Sequence, residues 1–257
     1  MEINQLRDEI DRIDSKLISL FEERMQISKE VAAYKKANKL PLLDEKREKA
    51  LFKSRLALLK AKHLSPYLEP FLETIVHLSK SYQFKCTTQK NVVLIGMMGS
   101  GKTTKGKLIA KRLGMTFIDI DEQIEKKQGK TISQLFQTFG SAEFRQIEHQ
   151  IIQQLSTQKD CVISTGGGVV LDEKNMHVLK ENGIIIFLNR DIEEIVLTID
   201  TKDRPLLNDG AQILYSIYNE RLPLYKKWCD IEITSNSDSI DEEVDIITKE
   251  LFILNTN

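Results

Sequence analysis

The sequence is poor in the features that mark secreted or membrane-embedded proteins. Its 257 residues include only three cysteines, Cys86, Cys161 and Cys229, which are widely spaced and form no C-x-x-C pair. An odd number of isolated cysteines is typical of thiols in a reducing compartment. No apolar signal region opens MEINQLRDE, and no apolar run reaches the length of a transmembrane helix. The sequence therefore predicts a soluble cytoplasmic protein that does not bind membranes.

The chain also lacks an excess of either positive or negative charge. Lysine and arginine total 37 and aspartate and glutamate total 38, which gives a formal net charge of −1. No chain-wide positive field exists to attract nucleic acid or anionic lipid. The four histidines show no metal-ligand spacing. We therefore expect small-molecule ligands, including anionic metabolites that local positive clusters could bind.

Glycine is absent before Gly96, and the residues in front of it have helical periodicity. Apolar residues recur at steps of three and four from Ile3 to Val31, which predicts one long, heptad-like helix ending near Asn38. Pro41 blocks continuation of this helix. At roughly 150 residues per domain, the chain has room for this helical region and a second domain.

Two further helices are predicted in the same region. Asp44 is a suitable N-cap for a helix that runs to about His63. Ser65 and Pro66 are a cap and first-turn signal for a third helix. The front region is therefore predicted to be an all-α, three-helix domain.

Polar residues interrupt the apolar faces of these helices. Arg24 lies where the seam of the first helix expects an apolar side chain, and a buried guanidinium without an anion is costly. Periodicity alone favours a dimerising or regulatory helical module, but Arg24 argues for a bound anion. Other polar side chains could face the same cavity from all three helices: Arg7, Lys35, Arg47, Glu48, Ser79 and Gln83.

This pattern resembles the all-helical chorismate mutases over about residues 3–84. The matching segments are LRDEIDRID, EERM and LPLLDEKRE. The resemblance implies rearrangement of chorismate to prephenate without a cofactor. This pericyclic step needs a site that folds a dicarboxylate and stabilises charge on the ether oxygen.

The resemblance also implies a role for each polar residue. Three arginines would bind the carboxylates, Lys35 and Gln83 would act catalytically by donating to the ether oxygen, and Glu48 would hold the substrate hydroxyl. The implied chorismate-binding residues are Arg7, Arg24, Lys35, Asp44, Arg47, Glu48, Ser79 and Gln83. Arg7 and Arg24 on one straight helix are about 26 Å apart, too far for one small ligand. We therefore predict an intertwined homodimer, the assembly known for that family, in which Arg7 comes from the second chain.

A polar segment, KCTTQK at 85–90, separates this region from NVVLIGMMGSGKTT at 91–104. The sequence predicts a domain of residues 1–84, a linker of 85–90 and a second domain of 91–257. This segment is an apolar strand followed by G-x-x-x-x-G-K-T and then by an amphipathic stretch. That order is typical of a phosphate-binding loop. We expect ATP contacts from Gly99, Ser100, Gly101, Lys102, Thr103 and Thr104, with Lys102 on the β and γ phosphates and Thr103 on Mg²⁺.

Predicted strands and helices alternate after the phosphate loop, which predicts a parallel sheet covered on both faces. Ligands should gather at the carboxyl ends of its strands. Polar or glycine-rich features follow several of these strands: Asp119 and Asp121 in D-x-D, Arg145 and Glu148 in EFRQIE, Gly166 to Gly168, and Arg204 and Arg221 in RPLL and ERLPLY. Each feature alone is as well explained by a helix cap, a turn or a solvated surface.

Together with the phosphate loop, these features resemble the shikimate kinases over about residues 91–251, which implies a nucleoside-monophosphate-kinase-like P-loop fold. The resemblance assigns the carboxylate of shikimate to Arg145 and Arg221, and its attacking hydroxyl to Asp121. Mg²⁺ would be held by Thr103, with Asp119 acting through water. The implied shikimate-binding residues are Asp121, Arg145, Gly166, Gly167, Gly168 and Arg221.

Lys102 and Arg204 would neutralise charge on the transferred phosphoryl group, and a lid at 201–209 would bring Arg204 to ATP. The family usually carries a basic residue in the helix before the lid, but Asp191 to Thr201 contains neither lysine nor arginine.

The sequence thus predicts a bifunctional enzyme of aromatic amino-acid biosynthesis. Two alternatives stay open. In one, the front domain is a non-catalytic dimeriser or effector sensor that regulates the kinase. In the other, the rear domain phosphorylates a different small acceptor, such as gluconate or a nucleotide.

Overall fold

The computed structural model describes residues 2–198, 211–235 and 239–254. The chain forms two compact units. The first contains Met1–Thr88 together with Leu251–Asn257, and the second contains Gln89–Glu250. No helix among the described residues is long and apolar enough to cross a membrane.

The first unit is built from helices, as the sequence predicts. They are α1 (Ile3–Ala37), α2 (Glu45–Ala57) and α3 (Ser65–Thr88), with a 3₁₀ turn at Lys62–Leu64. Asp44 caps α2 by accepting a hydrogen bond from the backbone N–H of Arg47 at 2.9 Å. The prediction that α2 continues to His63 is wrong. The chain needs non-helical residues to reverse before Pro66 can occupy the first turn of α3.

The linker predicted at 85–90 is mostly helical. α3 continues through Thr88, so only Gln89 and Lys90 lie between α3 and the first strand. Thr87 is buried, its hydroxyl donates to the carbonyl of Gln83 at 2.8 Å, and its own carbonyl accepts from Lys36 Nζ at 2.8 Å. Tertiary contacts therefore extend the helix into a segment whose polar composition suggested a linker.

The first half of α1 presents a row of apolar side chains to solvent. The exposed members of the row are Ile3, Leu6, Ile10, Ile13, Leu17 and Leu20. The helix is continuous over 35 residues. Its described contacts with α3 lie in its second half, where Arg24 reaches Ser79 and Lys36 reaches Thr87.

The second unit is a five-stranded parallel sheet with helices between its strands, which confirms the predicted fold class. Its strands are β1 (Asn91–Ile95), β2 (Thr116–Asp119), β3 (Cys161–Ser164), β4 (Gly183–Asn189) and β5 (Ile231–Thr234), in the order β2-β3-β1-β4-β5. Its helices are α4 (Lys102–Leu113), α5 (Ile120–Gln128), α6 (Ile132–Ser156), α7 (Glu173–Asn182), α8 (Ile192–Thr198), α9 (Ala211–Trp228) and α10 (Ile240–Leu254), whose end from Leu251 onward belongs to the first unit.

The burial of their residues explains why β1 and β4 lie in the interior of the sheet. Every residue of β1 is buried, and only Asn189 of β4 is partly exposed. β-branched and other apolar side chains on both faces need cover from helices, which parallel crossovers supply. Gly140 has φ 76° and ψ 177°, so α6 is kinked at this residue.

Candidate active sites

The loop between β1 and α4 is a glycine-rich backbone turn at the carboxyl edge of the sheet. Gly99 and Gly101 have φ values of 80° and 86°, a left-handed conformation that glycine adopts without a steric cost. Gly101 is the N-cap of α4, so the positive end of the helix faces the loop. This geometry matches the phosphate-binding loop that the sequence predicts.

Lys102 lies across the mouth of this loop. Its buried side chain donates to the carbonyl oxygens of Gly96 at 2.9 Å and Met97 at 2.8 Å. Its ammonium is therefore held at the loop rather than in solvent. A lysine that is already held at this loop can neutralise phosphate charge without a large change in its side-chain conformation.

Thr103 and Asp119 bring two oxygen atoms together beside Lys102. Thr103 Oγ1 donates to Asp119 Oδ2 at 2.8 Å. The other oxygen of Asp119 caps α5 by accepting from the backbone of Asp121 at 3.0 Å. No cluster of three or more His, Cys, Asp or Glu side chains suited to a metal occurs in the described ranges. This donor set fits Mg²⁺, which commonly uses one or two protein oxygens and takes its other ligands from phosphates and water.

Asp121 lies at the start of α5, two residues beyond Asp119. Burial raises the pKa of its carboxyl to about 6, and the negative charges of Asp119 and Glu148 contribute to the shift. Lys102 and Arg145 act in the opposite direction. A carboxyl group with a pKa near neutrality can exchange a proton with a bound hydroxyl.

Arg145 faces Asp121 from α6. Its NH1 donates to Glu148 Oε2 at 2.6 Å, and Glu148 is fully buried. Burial raises the pKa of Glu148, while the guanidinium of Arg145 lowers it. The ion pair fixes the fork of the guanidinium, which suits it to bind a planar carboxylate.

The glycine run after β3 provides space for this cluster. A Cβ atom on Gly166 would lie 3.0 Å from Asp121 Oδ1, and one on Gly168 would overlap the guanidinium of Arg145. The carbonyl of Gly167 accepts from the hydroxyl of Tyr225 at 2.5 Å. The run is therefore more than a turn, because it lets two charged side chains approach the backbone.

Arg221 completes the site from α9. It is buried, and its Nε has no hydrogen-bond partner among the described residues. Burial raises the pKa of the neighbouring Tyr225 to about 12, which keeps its hydroxyl protonated. A buried guanidinium with an unused donor is suited to bind an anion.

A cavity of about 610 Å³ connects these groups. It is lined by predicted site residues of the kinase unit: Gly99, Gly101, Lys102, Thr103, Thr104, Asp119, Asp121, Arg145, Gly166, Gly167, Gly168 and Arg221. Ser100 is buried within the loop. The predicted residue Arg204 and the predicted lid at 201–209 lie outside the described residues.

Sequence reasoning gave two neighbours of this cavity no role. It singled out Glu148 beside Arg145 in EFRQIE without a function, and the structure shows that Glu148 lines the cavity with a buried carboxylate that pairs with Arg145. Arg190, directly after β4, donates to the carbonyl of Gly99 at 3.0 Å. Its position one residue before the segment that lacks basic residues was the available signal.

In the first unit, the predicted polar residues of α1 and α3 converge. Arg24 is half-buried and donates to Ser79 Oγ and, at 3.3 Å, to the carbonyl of Ile75. Ser79 and Gln83 are buried, and Gln83 Oε1 has no hydrogen-bond partner in the described part of the chain. Arg24 of α1 therefore contacts α3 at Ser79, about one helical turn before the unused amide oxygen of Gln83.

Lys35 and α2 border the same seam. Burial lowers the pKa of Lys35, while the charges of Asp44 and Glu48 raise it. Lys35 Nζ donates to the carbonyl of Leu42 at 2.7 Å. Glu48 forms an ion pair of 3.0 Å with Lys80, a residue that the sequence reasoning missed because the pairing depends on how α2 packs on α3.

Two predicted members of this site stand apart from the seam. Arg47 is exposed on α2. Arg7 is exposed on α1, and Arg24 lies seventeen positions further along the same continuous helix. At 1.5 Å per residue the two arginines of one chain cannot reach the same small ligand.

Comparison with known proteins identifies families for both units. Residues 98–252 match the family described as Shikimate kinase, and residues 6–84 match Chorismate mutase type II. The shikimate kinase of Clostridium botulinum is 44% identical over 161 residues, which cover 63% of this chain and 96% of that protein. The shikimate kinase of Caldicellulosiruptor bescii is also 44% identical, over 63% of this chain and 90% of that protein.

Solved structures give the same result for the fold. A shikimate kinase from Acinetobacter baumannii, determined in complex with shikimate, is 34% identical and has a TM-score of 0.63, with 66% of this chain and 96% of that chain covered. A shikimate kinase from Aquifex aeolicus is 33% identical and has a TM-score of 0.55, with coverages of 62% and 96%.

The parallel sheet and the loop after β1 define the second unit as a P-loop kinase. The family match, together with the high coverage of the related shikimate kinases, then identifies the kind of P-loop kinase. The chain belongs to the shikimate kinase family, and it carries a chorismate mutase type II domain in front of the kinase domain. Both domains of a bifunctional enzyme of aromatic biosynthesis are therefore present in one chain.

Proposed function

We propose that the kinase unit transfers the γ-phosphoryl group of ATP to the 3-hydroxyl of shikimate, and that the helical unit converts chorismate to prephenate. The observation that carries the kinase assignment is the convergence of Asp121, Arg145 and Arg221 on the cavity that also contains the phosphate loop. The observation that carries the mutase assignment is the contact of half-buried Arg24 with Ser79, which lies one helical turn from the buried Gln83 on α3.

In the kinase reaction, Arg145 and Arg221 would bind the carboxylate of shikimate by charge-assisted hydrogen bonds. Asp121 would accept the proton of the attacking hydroxyl. The loop N–H groups, Lys102 and Arg204 would stabilise the charge of the transferred phosphoryl group. Thr103, and Asp119 through water, would hold Mg²⁺, which neutralises phosphate charge when bound.

In the mutase reaction, no proton transfer or nucleophile is needed. Arg24, Arg47 and the second chain's copy of Arg7 would hold the two carboxylates. Lys35 and Gln83 would donate to the ether oxygen, where negative charge develops. Asp44, Glu48 and Ser79 would complete the polar surface, with Glu48 on the substrate hydroxyl. This unit would need no cofactor.

The direct experiment is a pair of assays on one preparation of the full chain. Shikimate with ATP and Mg²⁺ should yield ADP and a phosphorylated product, and chorismate alone should yield prephenate. A chain that phosphorylates shikimate but leaves chorismate unchanged would support a non-catalytic, effector-sensing helical unit instead. A chain that prefers gluconate or a nucleotide as acceptor would overturn the kinase assignment.

We also propose that the domain boundaries lie at 1–84 and 91–257, that the enzyme acts in the cytoplasm, and that small molecules rather than nucleic acid or membranes are its partners. The near-balanced charge and the isolated thiols support the last two proposals.

We also propose that a ligand in the mutase site changes the rate of the kinase reaction. Kinase kinetics that are identical with and without prephenate or the aromatic amino acids would contradict this regulation.

Dimerisation through α1 gives a further prediction. A double change of Ile13 and Leu17 to glutamate places two charges in the exposed apolar row, which should prevent burial of that row against a second chain. The variant should sediment as a monomer, lose chorismate mutase activity and keep kinase activity. The matched control changes Ser15 and Ser19 to glutamate, which adds the same charge on the opposite side of the helix. A monomer with full mutase activity would contradict the shared site.

The elevated pKa of Asp121 predicts a pH dependence of the kinase. Asp121 must be ionised to accept a proton, and its pKa of about 6 means that acidification below this value protonates it. We expect kcat/KM for shikimate to fall about tenfold per pH unit below pH 6. Mutase activity measured in the same buffers is the control. A profile that stays flat to pH 5 would contradict this role.

The same shift predicts that Asp121→Asn stabilises the protein while abolishing phosphorylation. The pKa of Asp121 in the folded state lies above the ordinary value of 3.8, so the folded state binds this proton more tightly than the unfolded state does. The penalty for the buried charge is present above pH 6 and is relieved as the pH falls toward 4. Asp121→Asn removes the penalty, and denaturant unfolding at pH 7 should show a gain of about 2–3 kcal/mol.

A further inference from the structure

A chain of polar contacts runs from the acceptor cavity into the interior of the kinase unit. Arg145 donates to Glu148 Oε2 at 2.6 Å, and Asn175 Nδ2 donates to the same oxygen at 3.4 Å. Asn175 Oδ1 lies 2.6 Å from His149 Nδ1. Arg145 and Glu148 line the cavity, whereas Asn175 on α7 and His149 on α6 lie behind them.

Donor and acceptor chemistry fixes the direction of each contact. An ionised Glu148 can only accept, so the NH₂ group of Asn175 must face it and the amide oxygen must face His149. The His149 Nδ1 atom must then carry a proton and donate. The amide of Asn175 therefore has one orientation that satisfies both neighbours.

Burial makes that orientation important. Asn175 and Glu148 are both 0% exposed, so neither can replace a lost partner with bulk water. Glu148 Oε1 already has no hydrogen-bond partner among the described residues, which leaves Oε2 as the anchored oxygen. Arg145 and Asn175 both donate to this one oxygen of Glu148. The position of Asn175 therefore affects the position of the carboxylate, and through the carboxylate that of Arg145.

We propose that Asn175 is a positioning residue for acceptor binding. Its amide holds the Glu148 carboxylate, and through it the Arg145 guanidinium, in the orientation that receives the carboxylate of the acceptor. His149 keeps the amide in this orientation by donating from Nδ1. This inference rests on the proposed role of Arg145 in binding shikimate.

The test measures the KM values for shikimate and ATP on the full chain with Asn175→Leu. The variant removes both amide contacts at nearly constant size, so Arg145 loses its fixed support. We expect the KM for shikimate to rise about tenfold or more, as for the loss of a hydrogen bond to a charged group. The KM for ATP should stay within about twofold of wild type, because the contacts of Asn175 lie on the acceptor side.

A matched control distinguishes positioning from a general loss of stability. Asn91 is also buried, and its amide donates to the carbonyl of Gln158 at 2.9 Å and accepts from the backbone of Cys161 at 3.0 Å. It lies at the start of β1, at the end of the sheet away from the cavity. Asn91→Leu should lower the melting temperature by a similar amount and change neither KM. Equal rises in both KM values for Asn175→Leu would overturn the proposal.

Two milder variants cover the case in which Asn175→Leu fails to fold. His149→Phe removes the donor to the amide, whereas His149→Gln retains an N–H group. The phenylalanine variant should raise the KM for shikimate, and the glutamine variant should restore it in part. Equal values for the two would overturn the proposal. Arg145→Met must also raise the KM for shikimate, and a silent result there would overturn the acceptor assignment itself rather than the role of Asn175 alone.

Discussion

Replacement of Lys102 by alanine is expected to lower the kinase rate by at least about a thousandfold while chorismate is rearranged at the wild-type rate. The ammonium of Lys102 is buried at the phosphate loop, where Gly96 and Met97 hold it with their carbonyl oxygens. No other described lysine donates to these two carbonyls. The loss should therefore appear in kcat as well as in ATP affinity.

Lys107 provides the control for this result. It lies on the same helix, its side chain is 58% exposed, and its ammonium lies 3.9 Å from Glu122 and 5.6 Å from the centre of the Phe117 ring. Lys107→Ala should leave both activities within about twofold of wild type, because exposed ion pairs contribute little. Kinase turnover in Lys102→Ala above about one-tenth of wild type would contradict the assigned role, and a parallel loss of mutase activity would indicate misfolding.

Arg24→Ala should produce the opposite pattern. Removal of its guanidinium leaves a substrate carboxylate without its cation in a half-buried seam, which should lower chorismate mutase kcat/KM by about a thousandfold. Kinase activity should not change, since Arg24 belongs to the helical unit. The measurement is the loss of chorismate absorbance, with the kinase assay run on the same sample.

A second arginine on α1 serves as the matched control. Arg12 is exposed and pairs with Glu9 at 2.8 Å within the same helix. Arg12→Ala should leave chorismate mutase activity near wild type. If Arg24→Ala retained mutase activity, the half-buried arginine would have to be structural, and the sensor interpretation of the helical unit would gain support.

The kinase unit could be predicted largely from sequence because local signals and the fold agree. Strand-forming runs, the glycine pattern of the phosphate loop and the D-x-D at Asp119 and Asp121 each specify a local geometry. Parallel strands then bring their carboxyl ends to one edge of the sheet. The roles of the individual site residues remain predictions for the variants described above.

Other features depend on packing that no local pattern records. The pairs Glu48 with Lys80 and Asn175 with His149 join residues on different helices, and each member alone is an ordinary polar helix residue. The helical character of 85–88 likewise depends on burial of Thr87 and its contact with Lys36. Composition predicted a linker there because it reports polarity and not the tertiary partners.

The apolar row of α1 is synthesised before the phosphate loop and the sheet that follow it. Domains generally fold as they leave the ribosome, beginning with the N-terminal one. In the homodimer proposed above, neighbouring nascent chains on one messenger RNA would therefore join through α1 while their kinase units are still unmade. Assembly during translation would protect the row from aggregation and would favour pairing of chains from the same messenger.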